Sequence, residues 1–250
     1  MENNTLYAKI FETSKFSRSK VDIIIPYYGE YQSVINLVNS IITKTRSNPY
    51  KITLVDNCSP NKEFHLKLKN KPQCTSLRMN EPQGYGHACK FGFENTKNPW
   101  IIFIDSDCEI NSANWMVEMG RTMINQKDKN VKFVSSKFDK SDSLEQIPEL
   151  NTKHPSHDDY VVPDNKILPL HCFMVHREFF DKIGGFMPLN QYGGGEDSYI
   201  KGQMIKNSYK QCVSGKSFIS HIGGKTFNNL FDSTKKSKEI VDKNKETYKS

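Results

Sequence analysis

Three clusters in the sequence have residue types and spacings that could do chemistry. Asp105 and Asp107 stand two residues apart, directly after the hydrophobic run at residues 100–104 (WIIFI). Two carboxylates that close repel each other unless a cation or hydrogen-bond donors lie between them. A D-x-D of this kind can cap the next helix. At the carboxyl end of a buried strand it also suits a hard divalent ion, Mg²⁺ or Mn²⁺, which takes oxygen ligands and bridges a substrate diphosphate. Glu196 and Asp197 follow Gly193, Gly194 and Gly195. The glycines permit positive φ and close ligand approach, and acids at a helix start are kept ionised by the dipole. That pair serves either as a dipole-matched helix start or as a general base facing a hydroxyl. His221 sits in residues 220–225 (SHIGGK), an arrangement suited to a phosphate or metal contact.

Other candidates are weaker. His154 and His157 form H-x-x-H in a polar, Pro-containing stretch without a matching Cys or His pair, which argues against zinc. His171 and His176 are five residues apart, so on a regular strand they point to opposite faces and cannot share one site. Gly84 and Gly86 could cradle phosphate, but no third glycine completes a dinucleotide fingerprint. Signatures of serine hydrolases, P-loop enzymes and protein kinases are missing.

Elements must hold these clusters in place. Residues 21–25 (VDIII) read as a short buried strand closed by Pro26. Tyr31, Val34, Ile35, Val38, Ile41 and Ile42 recur at helical spacing, predicting an amphipathic helix over residues 30–44. Residues 51–55 (KITLV) form a second strand ending in the turn residues 56–60 (DNCSP). A weaker strand is expected over 76–79, then a helix that opens near Gly84 and ends before Pro99. After the 100–104 strand come a helix through Trp115 and Met119, a strand near 131–135, another over 170–175, and a short helix over 178–183 broken by Gly184 and Gly185. A last helix carries Ile200, Met204 and Ile205. Residues 141–165, polar and with three prolines, read as a long surface loop or flap.

Alternating strand and helix is the pattern of a parallel sheet covered on both faces. Ligands of such sheets bind outside the carboxyl ends of the strands. The polar clusters at 27–30, 56–59 and 105–107 all fall at those ends.

Composition sets the bounds. The chain has 250 residues, 36% of them hydrophobic and 25% charged, which suits one folded domain and argues against disorder. No apolar run approaches the ~18 residues of a membrane span, and residues 1–20 lack the apolar core of a secretory signal. Six cysteines without a C-x-x-C pair read as reduced thiols, so a cytoplasmic protein is expected. A sequon at Asn57, in the turn at 56–60, agrees with that, because a glycan there would block the site. The formal net charge is +7, and residues 235–249 alone carry six lysines against three acids. Such a tail is a solvated helix or a weak attractor of anionic surfaces, which makes peripheral membrane contact an expectation. It carries no recognisable nucleic-acid module, so nucleic acid is not an expected partner.

Taken together, residues 26–30 (PYYGE), 55–60 (VDNCSP), 80–92 (NEPQGYGHACKFG), 103–107 (FIDSD), 172–186 (CFMVHREFFDKIGGF), 193–209 (GGGEDSYIKGQMIKNSY) and 220–225 (SHIGGK) resemble the inverting family-2 glycosyltransferases of GT-A fold. The stretch around Gly84 is similar to the rhamnosyltransferase-type branch, and GGGED to the galactosyltransferase type. The resemblance implies an α/β fold, GT-A and Rossmann-like, with a mixed, mostly parallel central sheet and helices on both faces. It implies a glycosyltransferase domain over 20–230, an N-terminal extension over 1–19, and a basic helix or tail over 231–250. Carried over by position, Pro26, Tyr28 and Glu30 would line the nucleotide, and Asp56 would read the base. Gly84, Lys90 and Ser106 would lie near the donor, and Asp105 would touch the ribose or the metal. Asp107 would be the main metal ligand, with His221 completing the metal or diphosphate site. Asp197 would be the catalytic base, with Glu196 beside it on the acceptor side. The implied cofactor is Mn²⁺ or Mg²⁺. The implied partners are a nucleotide-sugar donor, UDP-sugars favoured, and a glycan, lipid-linked or protein acceptor. Competing readings are a nucleotidyltransferase, disfavoured because PYYGE lacks a Gly-rich basic loop, and a binding protein without turnover.

Overall fold

The computed structural model describes Phe16, residues 19–29, 31–46, 48–69, 71, 73–139, 147–186 and 195–222. Glu30, Gly193, Gly194, residues 223–225 and the basic tail therefore lie outside the described residues, as does most of the expected N-terminal extension. In chain order the elements are β1 (Val21–Tyr27), α1 (Tyr31–Lys44), β2 (Tyr50–Asp56), α2 (Lys62–Lys69), β3 (Cys74–Arg78), α3 (Tyr85–Glu94), β4 (Trp100–Ile104), β5 (Cys108–Ile110), α4 (Trp115–Asn125), β6 (Val131–Phe138), β7 (Tyr160–Val162), β8 (Cys172–His176), α5 (Arg177–Lys182), α6 (Glu196–Lys206) and β9 (Lys210–His221).

One sheet runs in the order β3-β2-β1-β4-β8-β6-β9-β5, with β7 on a second stretch of β9. The first four strands are parallel, as the strand–helix alternation predicts, and β1 and β4 are buried along their whole length. Strands covered on both faces read as unbroken apolar runs, and each fully buried Val, Ile or Phe contributes roughly 1.5–3 kcal/mol. Gly92 lets α3 settle onto Ile24 and Val55, where a Cβ would collide with both side chains.

The second half departs from simple alternation. β8 lies antiparallel between β4 and β6, and β9 runs parallel to β6 but antiparallel to β5 and β7. Residues 147–165, within the expected surface loop or flap, stay mostly exposed or half-buried but are pinned to the sheet at a few points. Ile147, Leu150 and Val162 are buried, and β7 pairs with β9. The backbone of His157 crosses directly over Gly215, an approach that only a residue without Cβ allows.

Lys132 on β6 is 1% exposed, with its ammonium 4.5 Å from the centre of the Phe179 ring. Burial, with help from the nearby charge of Lys182, lowers its pKa to about 7. Below that pH both folded and unfolded chains hold the proton. Between pH 7 and the ordinary lysine range the unfolded chain binds it and the folded chain does not, so this residue makes stability rise with pH. Lys132→Met should therefore be more stable than wild type at pH 7, by on the order of 3 kcal/mol, with the gap closing toward pH 10. Urea unfolding at the two pH values measures this, and an equal gap at both would refute it.

Candidate active site at the carboxyl ends of the strands

The sheet register assembles the site. The β4/β8 pairing sets Ile104 opposite Cys172, so the next residues, Asp105 and His171, face each other. The Asp105 N–H donates to the His171 carbonyl at 2.8 Å, and the Asp105 Oδ2 lies 2.8 Å from His171 Nδ1. From Asp105 the chain turns through Ser106 and Asp107 into β5, with the Cys108 N–H donating to the Asp105 carbonyl at 3.1 Å. β5 in turn pairs Cys108 with His221, and the Ile222 N–H donates to the Asp107 carbonyl at 3.1 Å. His221 Nε2 thereby stands 3.4 Å from Asp107 Oδ1 and 3.9 Å from Asp105 Oδ2. Its backbone N–H donates to Asp139 at the end of β6, at 2.9 Å.

These neighbours set the charge state. Burial would raise the Asp107 carboxyl, but the hydrogen bond and charge of His221, with His171 beyond it, hold it below the usual carboxylate range. The imidazoles of His171 and His221 stack, centroids 3.7 Å apart and planes 23° from parallel. Two side-chain groups here could hold a metal ion: Asp105, His171 and His221, and Asp107, Cys108 and His221. Carboxylate oxygens with imidazole nitrogen form a donor set that fits a divalent ion such as Mn²⁺.

Gly195 takes a left-handed φ of 94° and turns the chain into α6. Glu196 is buried, and its Oε1 accepts the Gly86 N–H at 3.2 Å. Gly86 is the second residue of α3, so Glu196 ties the N-termini of two helices together where both dipoles favour an anion. Asp197, partly buried, takes the other direction. Burial raises its carboxyl to about 7, aided by Glu196 and Asp105 and opposed by His171 and by a hydrogen bond from the Leu170 backbone. It thus belongs to the same electrostatic cluster as Asp105 and His171. Tyr85, at the start of α3, brings its hydroxyl beside Asp105 and Cys89, and burial raises its pKa well above the ordinary tyrosine value.

The expected nucleotide-side residues are dispersed around this centre. Pro26 lies within β1 and Tyr28 just beyond its carboxyl end, and the neighbouring Gly29 N–H donates to Ser59 Oγ at 2.9 Å. Asp56 is fully buried, with its oxygens taken by the Ser59 N–H at 2.8 Å and by an ion pair to Arg78. Its carboxylate braces the 56–59 turn. Asn57 extends the brace, exchanging two hydrogen bonds with the Gln83 backbone next to Gly84. Gly84 caps α3, Ser106 is buried in the turn, and Lys90 lies on α3 with its ammonium 3.8 Å from Glu94.

Sequence reasoning passed over His171 and Tyr85. His171 and His176 do not share a site, as their spacing predicts: His171 faces Asp105, and His176 packs edge-on against Trp100 at 5.0 Å.

A family model, Glycosyl transferase family 2, matches residues 22–184. Among curated proteins, an O-antigen biosynthesis protein RfbC of Myxococcus xanthus is 24% identical over 102 residues, 40% of this chain and 8% of that protein. An uncharacterized glycosyltransferase of Haemophilus influenzae is 29% identical over 87 residues, 35% of this chain and 29% of that protein. The chain thus spans less than a third of the length of either relative. Among solved structures, GalNAc-T7 with UDP, GalNAc and Mn²⁺ superposes with a TM-score of 0.66 at 16% identity, over 90% of this chain and 48% of that one. The mannosyltransferase PcManGT of Pyrobaculum calidifontis, in complex with GDP-Man and Mn²⁺, gives 0.62 at 15% identity, over 85% and 60% of the two chains. S. aureus TarS residues 1–349 with UDP-GlcNAc gives 0.61 at 15% identity, over 88% and 64%. At such identities the likeness is one of fold, and it is the mixed α/β GT-A fold that the sequence implies.

Proposed function

Because the chain belongs to glycosyltransferase family 2, we propose that it moves a sugar from a nucleoside-diphosphate sugar to an acceptor hydroxyl with inversion at the anomeric carbon. One observation carries this reading. Asp105, Asp107 and His221 converge at the carboxyl end of β4, with Asp197 in the same electrostatic cluster.

Asp107, Asp105 and His221 would hold the metal in this reading. A divalent cation bound there would neutralise the negative charge that grows on the departing diphosphate. Asp197 accepts the proton of the acceptor hydroxyl as its oxygen attacks the anomeric carbon and the bond to the diphosphate breaks. A carboxyl held near 7 suits that task, because a base works best with a pKa close to the working pH. Glu196 is already engaged with the Gly86 N–H and serves to fix α6. Pro26, Tyr28, Gly84 and Ser106 line the nucleotide, and Asp56 acts through the turn it braces. Lys90, paired on the helix surface, is the weakest of this group.

UDP with GalNAc, UDP-GlcNAc and GDP-Man, with Mn²⁺ in two cases, occur in the similar solved structures, which supports a nucleotide-sugar donor here and favours UDP. The acceptor is a glycan, lipid-linked or protein hydroxyl. Among the described residues no helix is long and apolar enough to cross a membrane, and the basic tail is proposed as a peripheral contact. A thermal-shift panel of nucleotide sugars, each with and without Mn²⁺, tests the donor half. At least one sugar nucleotide should raise the melting temperature by several degrees only when Mn²⁺ is present. A flat panel would overturn the reading.

A further inference from the structure

We propose that a basic cleft at the amino ends of β1, β2 and β4, at the opposite end of the strands from the candidate active site, binds a phosphate-bearing anion. The inference goes beyond the glycosyltransferase reading and does not depend on it.

Topology gathers the residues. Lys20 precedes β1, Lys51 is the second residue of β2, and Lys97 lies in the segment that leads into β4. All three line one cleft of about 450 Å³, together with Tyr50 and Asn98. That volume falls within the range of small-molecule sites, roughly 300–1,000 Å³. The three lysines are exposed, and among the described residues none has an acidic partner. Asp22 is the one acid among the lining residues. It stands opposite Lys51 in the β1/β2 register, yet it is buried and turned to other donors. Its carboxylate accepts the Lys97 N–H at 3.1 Å, the Asn98 N–H at 2.7 Å and the Asn98 side-chain amide at 2.8 Å, with Arg177 3.8 Å away.

The charge balance decides what can sit there. Three ammonium groups around one cleft repel each other, and a bound anion reverses that repulsion. The C-terminal end of α3, whose cap Asn95 also lines the cleft, opposes with only about half a negative charge. Each ammonium offers three donors and no acceptor. The cleft therefore suits a ligand with several acceptor oxygens and more than one negative charge, which a phosphate or diphosphate supplies and a lone carboxylate does not. β1 and β4 lead from the cleft to the carboxyl ends over seven and five residues, roughly 15–20 Å at about 3.3 Å each. Charges that far apart are screened at physiological salt, where the Debye length is about 8 Å. An anion held here is thus a separate occupant from the diphosphate proposed at the active site.

Inorganic pyrophosphate is the probe, added to the full chain in EDTA so that no divalent ion draws it to Asp107. Isothermal titration should show equal binding in the wild type and in Asp107→Ala. Lys51→Gln/Lys97→Gln should lose about tenfold or more, since a single charge-assisted hydrogen bond contributes that much. Brief acetylation read by mass spectrometry needs no variant to fold: pyrophosphate should protect Lys20, Lys51 and Lys97 and leave Lys127 and Lys129 reacting as before. Sedimentation with phosphatidylglycerol–phosphatidylcholine vesicles separates the sources of the phosphate. Vesicle binding that falls in the double variant assigns the cleft to a lipid headgroup, whereas pyrophosphate binding with vesicle binding unchanged assigns it to a free phosphorylated ligand. Pyrophosphate binding that survives in the double variant, or that Asp107→Ala also removes, would overturn the inference and leave the glycosyltransferase reading standing. So would the lack of any pyrophosphate binding together with vesicle binding that ignores the two lysines.

Discussion

Asp107→Ala should abolish Mn²⁺-dependent nucleotide binding and leave the fold standing. Asp107 sits in the turn between β4 and β5, and two of its ties there are backbone ones that alanine keeps: the turn itself and the Ile222 N–H on its carbonyl. The substitution removes the carboxylate 3.4 Å from His221 Nε2. His221 retains its backbone anchor on Asp139 and its approach to Asp105, so the sheet edge formed by β5 and β9 has no reason to open. The loss therefore falls on the ligand. In isothermal titration with UDP, Mn²⁺ should no longer improve nucleotide affinity, a change of at least 100-fold where the wild type depends on the ion. Urea unfolding should move little. Undiminished Mn²⁺ dependence in the variant would sink the assignment of the D-x-D pair.

How far this site can be read in the sequence depends on what holds each residue. Asp105 and Asp107 are legible because β4 is an unbroken apolar run, and whatever follows such a strand lies at its carboxyl end. Glu196 and Asp197 are legible because the glycines announce a helix start. His171 is different. Its place opposite Asp105 follows from β8 lying antiparallel to β4 in one particular register, a long-range pairing that the local pattern around residue 171 does not encode. The enclosure of Asp56 has the same origin, since the parallel register of β2 and β3 sets Arg78 beside it. Short or polar elements escaped for another reason. Among its described side chains α2 buries only Phe64 and Leu68, and β5 has three residues. β9, rich in Ser and Lys, is a strand because β5, β6 and β7 complete its hydrogen bonds.

Asp197→Asn should bind donor and metal almost as the wild type does, yet lose on the order of 10²–10⁴ in turnover, the usual worth of a general base. The amide keeps the size of the carboxyl and much of its hydrogen bonding, including the means to accept from the Leu170 backbone. It cannot take a proton from the acceptor. An interaction that matters only as the proton moves appears in kcat and leaves donor affinity untouched. The neighbouring acid is the internal control. Glu196 spends its carboxylate on the Gly86 N–H, joining the starts of α3 and α6, and the amide oxygen introduced by Glu196→Gln can still accept that bond. Glu196→Gln should therefore lose at most about 1 kcal/mol of stability from the weakened helix-terminus interaction. Its turnover should stay within tenfold of wild type. Single-turnover kinetics on a saturating donor, with donor affinity titrated separately for each variant, distinguishes the two residues. If Glu196→Gln is dead and Asp197→Asn active, the base is the other acid, and the Gly86 bond must break in the productive complex. If both variants turn over normally, proton removal does not depend on the start of α6, and the catalytic half of the proposed mechanism fails while the metal half stands on Asp107.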